Sequence, residues 1–161
     1  MIHPGAGRKT DRVCGRLQRC VRAPNLTGMS HRITIRVYYE DTDLAGIVYY
    51  ANYLKFIERG RTDWLRDLGV EQGILKDREG VVFAVRRVEA DYLRPARFDD
   101  ELTVVTRPQA ASGARIVLEQ DVLRGGERLF ASVVTLVCLT ETGQPARIPA
   151  ELRRKMEPSL H

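Results

Sequence analysis

Histidine is scarce in this 161-residue chain, and the three present, His3, His31 and His161, lie far apart. None falls in the most patterned stretch, so neither a Ser-His-Asp nor a Cys-His relay has a local signature. Cysteine is equally thin: Cys14, Cys20 and Cys138 share no short paired spacing. That argues against a disulfide framework and a zinc site, and fits a reducing, cytoplasmic setting. No metal and no cofactor are expected. No apolar run approaches the roughly 18 residues that span a bilayer, which argues against stable membrane insertion. Gly125-Gly126 leads into a strand pattern rather than a helix, so the chain has no phosphate-cradling loop. Internal repeats and low-complexity blocks are missing too. What remains for chemistry is carboxylates.

At 43% hydrophobic and 29% charged residues, the composition is that of one ordinary domain with enough chain for a core. The net charge of +5 is unevenly placed. In residues 1–28, Arg8, Lys9, Arg12, Arg16, Arg19 and Arg22 face only Asp11, which accounts for the whole excess. This segment has no clear period, several breakers and no apolar core of a secretory signal. Its Arg-rich, acid-poor composition has a faint transit-peptide character. We read 1–28 as an unstructured basic extension, or as sequence upstream of a natural start at Met29, and 29–161 as the folded domain. A nucleic-acid-binding arm is the competing reading, but no aromatics and no folded basic face support it. No nucleic-acid partner is expected.

Tyr39–Leu68 is the best-patterned stretch. It opens on the acidic turn Glu40-Asp41-Thr42-Asp43, then Leu44-Ala45-Gly46 and the apolar run Ile47–Tyr50. Beyond it, Leu54, Ile57, Arg61, Trp64, Leu65 and Leu68 recur at three- and four-residue steps, widened by Tyr53, Phe56 and Gly60. That period predicts a helix of about five turns with one broad buried face. Asn52 is the expected N-cap and Gly69 the left-handed terminator.

Around it the chain reads as strand. His31–Tyr39 alternates, with Ile33, Ile35 and Val37 opposite Arg32, Thr34 and Arg36. Val70–Gly80 reads as a polar connection. Strands follow at Val81–Leu93, stopped by Pro95; at Glu101–Arg107, closed by Pro108; and at Ala114–Leu123. Gly125-Gly126 then predicts a hairpin into Arg128–Thr140, whose apolar run should be central and buried. Pro149–Met156 reads as a short terminal helix. One strand, a long helix and four strands on short turns make an α+β protein, with an antiparallel sheet carrying the helix on its concave face.

The chemical potential of the central stretch lies at the helix entrance. Unpaired N–H groups there carry about half a positive charge. The backbone N–H of Tyr50 can stabilise an oxyanion on a substrate carbonyl, and Asp43 can attack that carbonyl or activate a water. Such sparse equipment suits a good leaving group, a thiolate rather than an amine. From the residues alone, ordinary turn chemistry is the more common explanation of Asp-Thr-Asp before a glycine, its carboxylates bonding local N–H groups.

The motif D-x-D-x-x-G-x-V-Y-x-x-N-Y, from Asp41 to Tyr53, with FAVRRVEADYLRPARFDDELTV at Phe83–Val104, resembles the 4-hydroxybenzoyl-CoA thioesterase family of the hotdog superfamily. The likeness runs roughly from Ser30 to Glu151 and is strongest to acyl-CoA thioesterases associated with the bacterial Tol–Pal system. It implies a hotdog fold, a curled antiparallel sheet of five to six strands around one long central helix. It further implies hydrolysis of acyl-CoA, or of an acyl-carrier protein thioester, by a homodimer or homotetramer with sites between subunits. By position, Asp43 matches the family's catalytic carboxylate and Tyr50 the residue whose N–H polarises the carbonyl. The Tol–Pal subgroup usually has histidine where this chain has Tyr50. A backbone donor survives that exchange; an imidazole does not.

Other residues are read more plainly. Glu58, a helical carboxylate of the sort some relatives use, is assigned to an ion pair with Arg61 or Arg59. Trp64 belongs to the core. Arg86, Arg87, Arg94, Arg97 and Arg107 are the candidates for CoA phosphates, each more ordinary as a solvated strand residue. The alternative function is a non-catalytic acyl-CoA or acyl-carrier protein binder using the same tunnel, against which Asp43 argues: a pure binder gains nothing from a charge beside a carbonyl.

Overall fold

The structure is a computed structural model that describes residues 30–156. The basic segment 1–28, with His3, Cys14 and Cys20, and the final His161 lie outside the described residues. In chain order the elements are β1 (His31–Arg36), α1 (Asn52–Asp67), α2 (Gln72–Glu79), β2 (Val81–Tyr92), β3 (Glu101–Ser112), β4 (Arg115–Arg124), β5 (Glu127–Thr140) and α3 (Ala150–Met156). The five strands form one antiparallel sheet in the order β1-β3-β4-β5-β2. α1 crosses it against β1, β3 and β4.

The period of α1 explains that contact. Tyr53, Phe56, Ile57, Trp64 and Leu65 are buried together with Ile116, Leu118, Val122, Phe130 and Val134 from the sheet. Gly60 packs directly on β3: a Cβ there would lie 2.8 Å from Val104 Cγ1 and 3.1 Å from Thr106 Oγ1. Gln120, fully buried, crosses the same seam, its amide donating to the Ile57 carbonyl at 2.9 Å and to Thr106 Oγ1 at 2.8 Å. Gly69, at φ +72°, ends the helix in the left-handed region as expected. Leu54 departs from the predicted stripe. It is 40% exposed, because the sheet approaches α1 from the side of Tyr53 and Ile57.

Three further expectations are corrected. β1 ends at Arg36, where the chain turns into a single 3-10 turn at Tyr39–Asp41. Pro108 does not close β3. Pro108 pairs with Leu118 and Ala110 with Val117, so Gln109 is the extra residue of a bulge, and β1 pairs only as far as Thr106. A proline without a ladder N–H is tolerated at such an irregularity. Finally, Gln72–Glu79 is a helix rather than a polar connection. None of its residues is buried, so it has no apolar stripe for the sequence pattern to reveal.

The Gly-Gly hairpin stands as read, with φ of 54° and 89° at Gly125 and Gly126. β5 lies between β4 and β2 rather than at the middle of the sheet. Ser132, Val134, Leu136 and Cys138 turn into the core, while Val133, Thr135 and Val137 on the other face are half-buried. α3 covers the far end through Leu152 and Met156.

Candidate functional site

Between β1 and α1 the acidic turn is tied down from both sides. Asp41 is 5% exposed, and its Oδ2 accepts the Tyr38 N–H at 2.9 Å. Its carbonyl accepts twice more, from the Tyr49 N–H at 2.9 Å and from Asn52 Nδ2 at 2.9 Å. Asn52 is therefore not the N-cap expected of it. Ala51 occupies that position in a right-handed helical conformation, and Asn52 is the first residue of α1. Its amide spans eleven residues of sequence to hold the turn against the helix.

From this anchor a small hairpin projects Asp43. Thr42 bridges Val48, the Asp43 N–H donates to the Ile47 carbonyl at 2.9 Å, and the Gly46 N–H returns to the Asp43 carbonyl at 2.9 Å. Gly46 takes φ +70°, the reason a glycine is needed here. Asp43 Oδ1 accepts the Ala45 N–H at 2.9 Å, the local turn bond foreseen, while the side chain stays exposed. The two acids of one motif thus differ in place: Asp41 is buried within the turn and Asp43 is exposed at its tip.

Asp43 opens on a groove of about 370 Å³ with Tyr49, Tyr50, Tyr53, Tyr92, Leu93 and Pro95 along its walls. The entrance of α1 lies in the same wall. The Asn52 N–H is satisfied by the Tyr49 carbonyl at 2.9 Å and the Leu54 N–H by the Ala51 carbonyl at 3.1 Å. Among the described residues nothing accepts from the Tyr50 N–H. The Tyr50 carbonyl accepts the hydroxyl of Tyr92 at 3.1 Å. The two expected site residues, Asp43 and Tyr50, are brought to one cleft.

Aromatic rings make up most of this cleft. Tyr49 and Tyr50 lie 4.6 Å apart between centroids, Tyr50 and Tyr92 6.2 Å, and Tyr53 and Tyr92 5.6 Å. Beneath them Tyr53 stacks on Phe130 at 5.2 Å, and its hydroxyl accepts the Ala96 N–H at 2.9 Å. The Tyr49 phenol is held above its ordinary value by its Tyr50 neighbour, then by burial and the charge of Asp43. Burial raises Tyr53, with the Ala96 N–H opposing, and burial followed by Tyr50 raises Tyr92. These phenols stay neutral donors and acceptors at neutral pH.

Glu58 is elsewhere. It lines a separate depression of about 460 Å³ between β1 and α1, with Arg59, Thr62 and Asp63. The ion pair expected for it is replaced by a hydrogen bond, in which the Thr62 hydroxyl donates to Glu58 Oε1 at 2.8 Å. Arg61 turns inward and donates to Gln120 Oε1 at 2.8 Å. Burial draws its guanidinium below the usual value, with Glu58 opposing from a distance. Trp64 is in the core at 4% exposure.

Of the arginines considered for phosphates, only Arg94 lines the groove, its Nε 2.8 Å from Glu127. Arg107 is committed to Asp121 at 2.8 Å and Arg87 to Glu89. Arg86 and Arg97 are exposed. Among the described residues no three His, Cys, Asp or Glu side chains come together as a metal site. Tyr92 was missed in the sequence. Its aromatic type at the end of a strand was visible, but not the register that carries it to the helix entrance.

The sequence and the fold both have known relatives. The sequence profile of the thioesterase-like superfamily matches residues 37–156. The acyl-CoA thioesterase YbgC of Haemophilus influenzae is 39% identical over 121 residues, covering 74% of this chain and 88% of the relative. The acyl-CoA thioester hydrolase YbgC of Escherichia coli O157:H7 is 40% identical over 106 residues, covering 66% and 78%. A crystal structure of a probable thioesterase from Bartonella henselae superposes with a TM-score of 0.73 at 41% identity, covering 75% of this chain and all of that one.

Proposed function

This chain belongs to the thioesterase-like superfamily of hotdog proteins, and we propose that it hydrolyses acyl-CoA thioesters with Asp43 as the reacting carboxylate and the Tyr50 N–H as oxyanion donor. It is a thioester hydrolase by kinship with acyl-CoA thioesterases of about 40% identity. One observation carries the assignment of residues: Asp43 and the entrance of α1 open on the same aromatic-walled groove.

The chemistry follows from that placement. A thioester carbonyl oxygen lodged at the entrance meets the unpartnered Tyr50 N–H and the positive end of α1. Charge gathers on this oxygen as an oxygen nucleophile adds to the acyl carbon, and a fixed donor there is worth about 3 kcal/mol of barrier. Asp43 supplies the nucleophile by deprotonating water, or attacks itself to form a mixed anhydride that water then opens. Either route consumes one water. The C–S bond breaks with its electron pair on sulfur, the acyl group ends as the free acid, and the expelled thiolate takes up a proton only after it has left. No histidine is needed, because a thiolate leaves without prior protonation.

The finer parts of the reading have their own supports. A homodimer or homotetramer covers the outer edge of β2, which ends the sheet and exposes Val85 and Val88. A cytoplasmic location accords with a CoA substrate and with the buried free thiol of Cys138. No helix among the described residues is long and apolar enough to cross a membrane. The Tol–Pal association rests on likeness of motif alone. Acyl-carrier protein remains the second thioester donor that the same groove could serve.

A thiol-release assay across a panel of acyl-CoAs, comparing the wild-type chain with Asp43→Asn, tests the function. We expect turnover on at least one substrate and a loss of about 100-fold or more in the variant. Full activity in Asp43→Asn removes Asp43 from the mechanism. Acyl-CoA binding without turnover in the wild type makes the protein a binder.

A further inference from the structure

Tyr92 contributes a contact that the hydrolysis scheme leaves unused. In a regular helix the Tyr50 carbonyl would accept the Leu54 N–H; here that N–H goes to Ala51 at 3.1 Å. The Tyr50 carbonyl is thereby left outside the helical ladder and is held by the Tyr92 hydroxyl at 3.1 Å. Holding this carbonyl fixes the plane of the peptide that follows Tyr50 and restrains the rotation about the Tyr50 backbone. The aim of the adjacent Tyr50 N–H depends on that rotation.

The donor is in turn aimed by the core. Tyr92 is the last residue of β2, paired in register with Phe130 of β5. Its ring meets Phe130 at 5.1 Å and 66°, and Tyr53 at 5.6 Å and 84°, both edge-on. Those two rings are 0% and 3% exposed. A half-exposed phenol is thus backed on its inner side by two buried rings, and its hydroxyl reaches the Tyr50 carbonyl that the helical ladder leaves out at the entrance of α1. We propose that Tyr92 is a positioning residue for this reaction, fixing the Tyr50 backbone so that its N–H meets the developing oxyanion. The proposal rests on the hydrolase reading above. It differs from a mere wall role, in which Tyr92 would only shape the acyl pocket and affect substrate binding.

The two roles separate in kinetics. Tyr92→Phe keeps both ring contacts and removes only the hydroxyl. With an acyl-CoA that the wild type turns over, we expect kcat to fall about tenfold, on the scale of one hydrogen bond, with KM within about twofold. Affinity for a non-hydrolysable thioether analogue of the same acyl-CoA, which lacks the carbonyl, should be unchanged. Tyr92→Leu, which removes the ring as well, should lower kcat similarly and weaken the analogue. Wild-type kcat in Tyr92→Phe, or a rise in KM alone, overturns the proposal while leaving the hydrolase standing. Failure of the wild type to release thiol from any substrate overturns both.

Discussion

The side-chain amide of Asn52 donates to the main-chain carbonyl of Asp41 across 2.9 Å, in a contact that is buried at both ends. It joins the first residue of α1 to the acidic turn, and so fixes where the Asp43 hairpin stands relative to the helix entrance. The carboxylate proposed to react, carried on a surface hairpin, would otherwise wander. Enzymes lose much of their advantage when reacting groups shift by about 1 Å.

Asn52→Ala should therefore damage activity and stability together. Losing a buried hydrogen bond and leaving the Asp41 carbonyl with one donor fewer costs about 1–3 kcal/mol, read by urea or thermal unfolding. Turnover should drop by up to about 100-fold in thiol release, because Asp43 and the Tyr50 N–H lose their common frame. An unchanged kcat would show that the hairpin positions itself.

The two acids of the motif should part company under mutation. Asp41→Ala strips the buried acceptor of the Tyr38 N–H and should lower stability by about 1–3 kcal/mol. Asp43→Asn keeps an oxygen for the Ala45 N–H and should unfold within about 0.5 kcal/mol of wild type. Equal melting losses in the two variants would contradict the division of labour.

Gly60→Ala sets helix propensity against packing. Alanine gains about 1 kcal/mol in a helix interior, yet its methyl would lie 2.8 Å from Val104 Cγ1 on a side chain that is 0% exposed. Overpacking of this kind costs about 1–3 kcal/mol, so we expect a net loss, measured as a lower denaturant midpoint. A gain would mean that β3 yields easily.

Acid should expose the turn before β3. Burial alone would raise the Asp100 carboxyl, but hydrogen bonds from Arg124 and from the Arg97 N–H, with their charges, hold it below its ordinary value of 3.8. A carboxyl depressed by folding stabilises the fold where it is ionised and loses that contribution as pH falls through its folded pKa. Asp100→Asn should thus be less stable than wild type at neutral pH. The gap should close on acidification, below the ordinary aspartate range. A gap that stays constant with pH would assign the effect to hydrogen-bond geometry rather than charge.

Much of the fold was legible because periodicity reports one-sided burial. Ile57, Trp64 and Leu65 announced α1, and Ile116 and Leu118 announced β4. What failed did so for lack of such a signal. α2 buries none of its residues, and Pro108 hides in a bulge that only the pairing with β4 reveals. Leu54 belonged to the predicted stripe by spacing, but the angle of approach of the sheet leaves it in the open.

For the site the division is similar. The local chain by itself determined the acidic turn, the glycine at Gly46, the helix that follows, and hence that Asp43 and Tyr50 lie near one another, since seven residues of chain cannot separate them far. Only the tertiary structure decided that Asp41 is the buried acid and Asp43 the free one, that Asn52 reaches back instead of capping, and that Tyr92 arrives from a strand 42 residues away to hold the Tyr50 carbonyl. Each of those outcomes depends on strand register and on the face of α1 that the sheet covers. Both are set by packing between distant segments, which a linear pattern of residues does not encode at any single place.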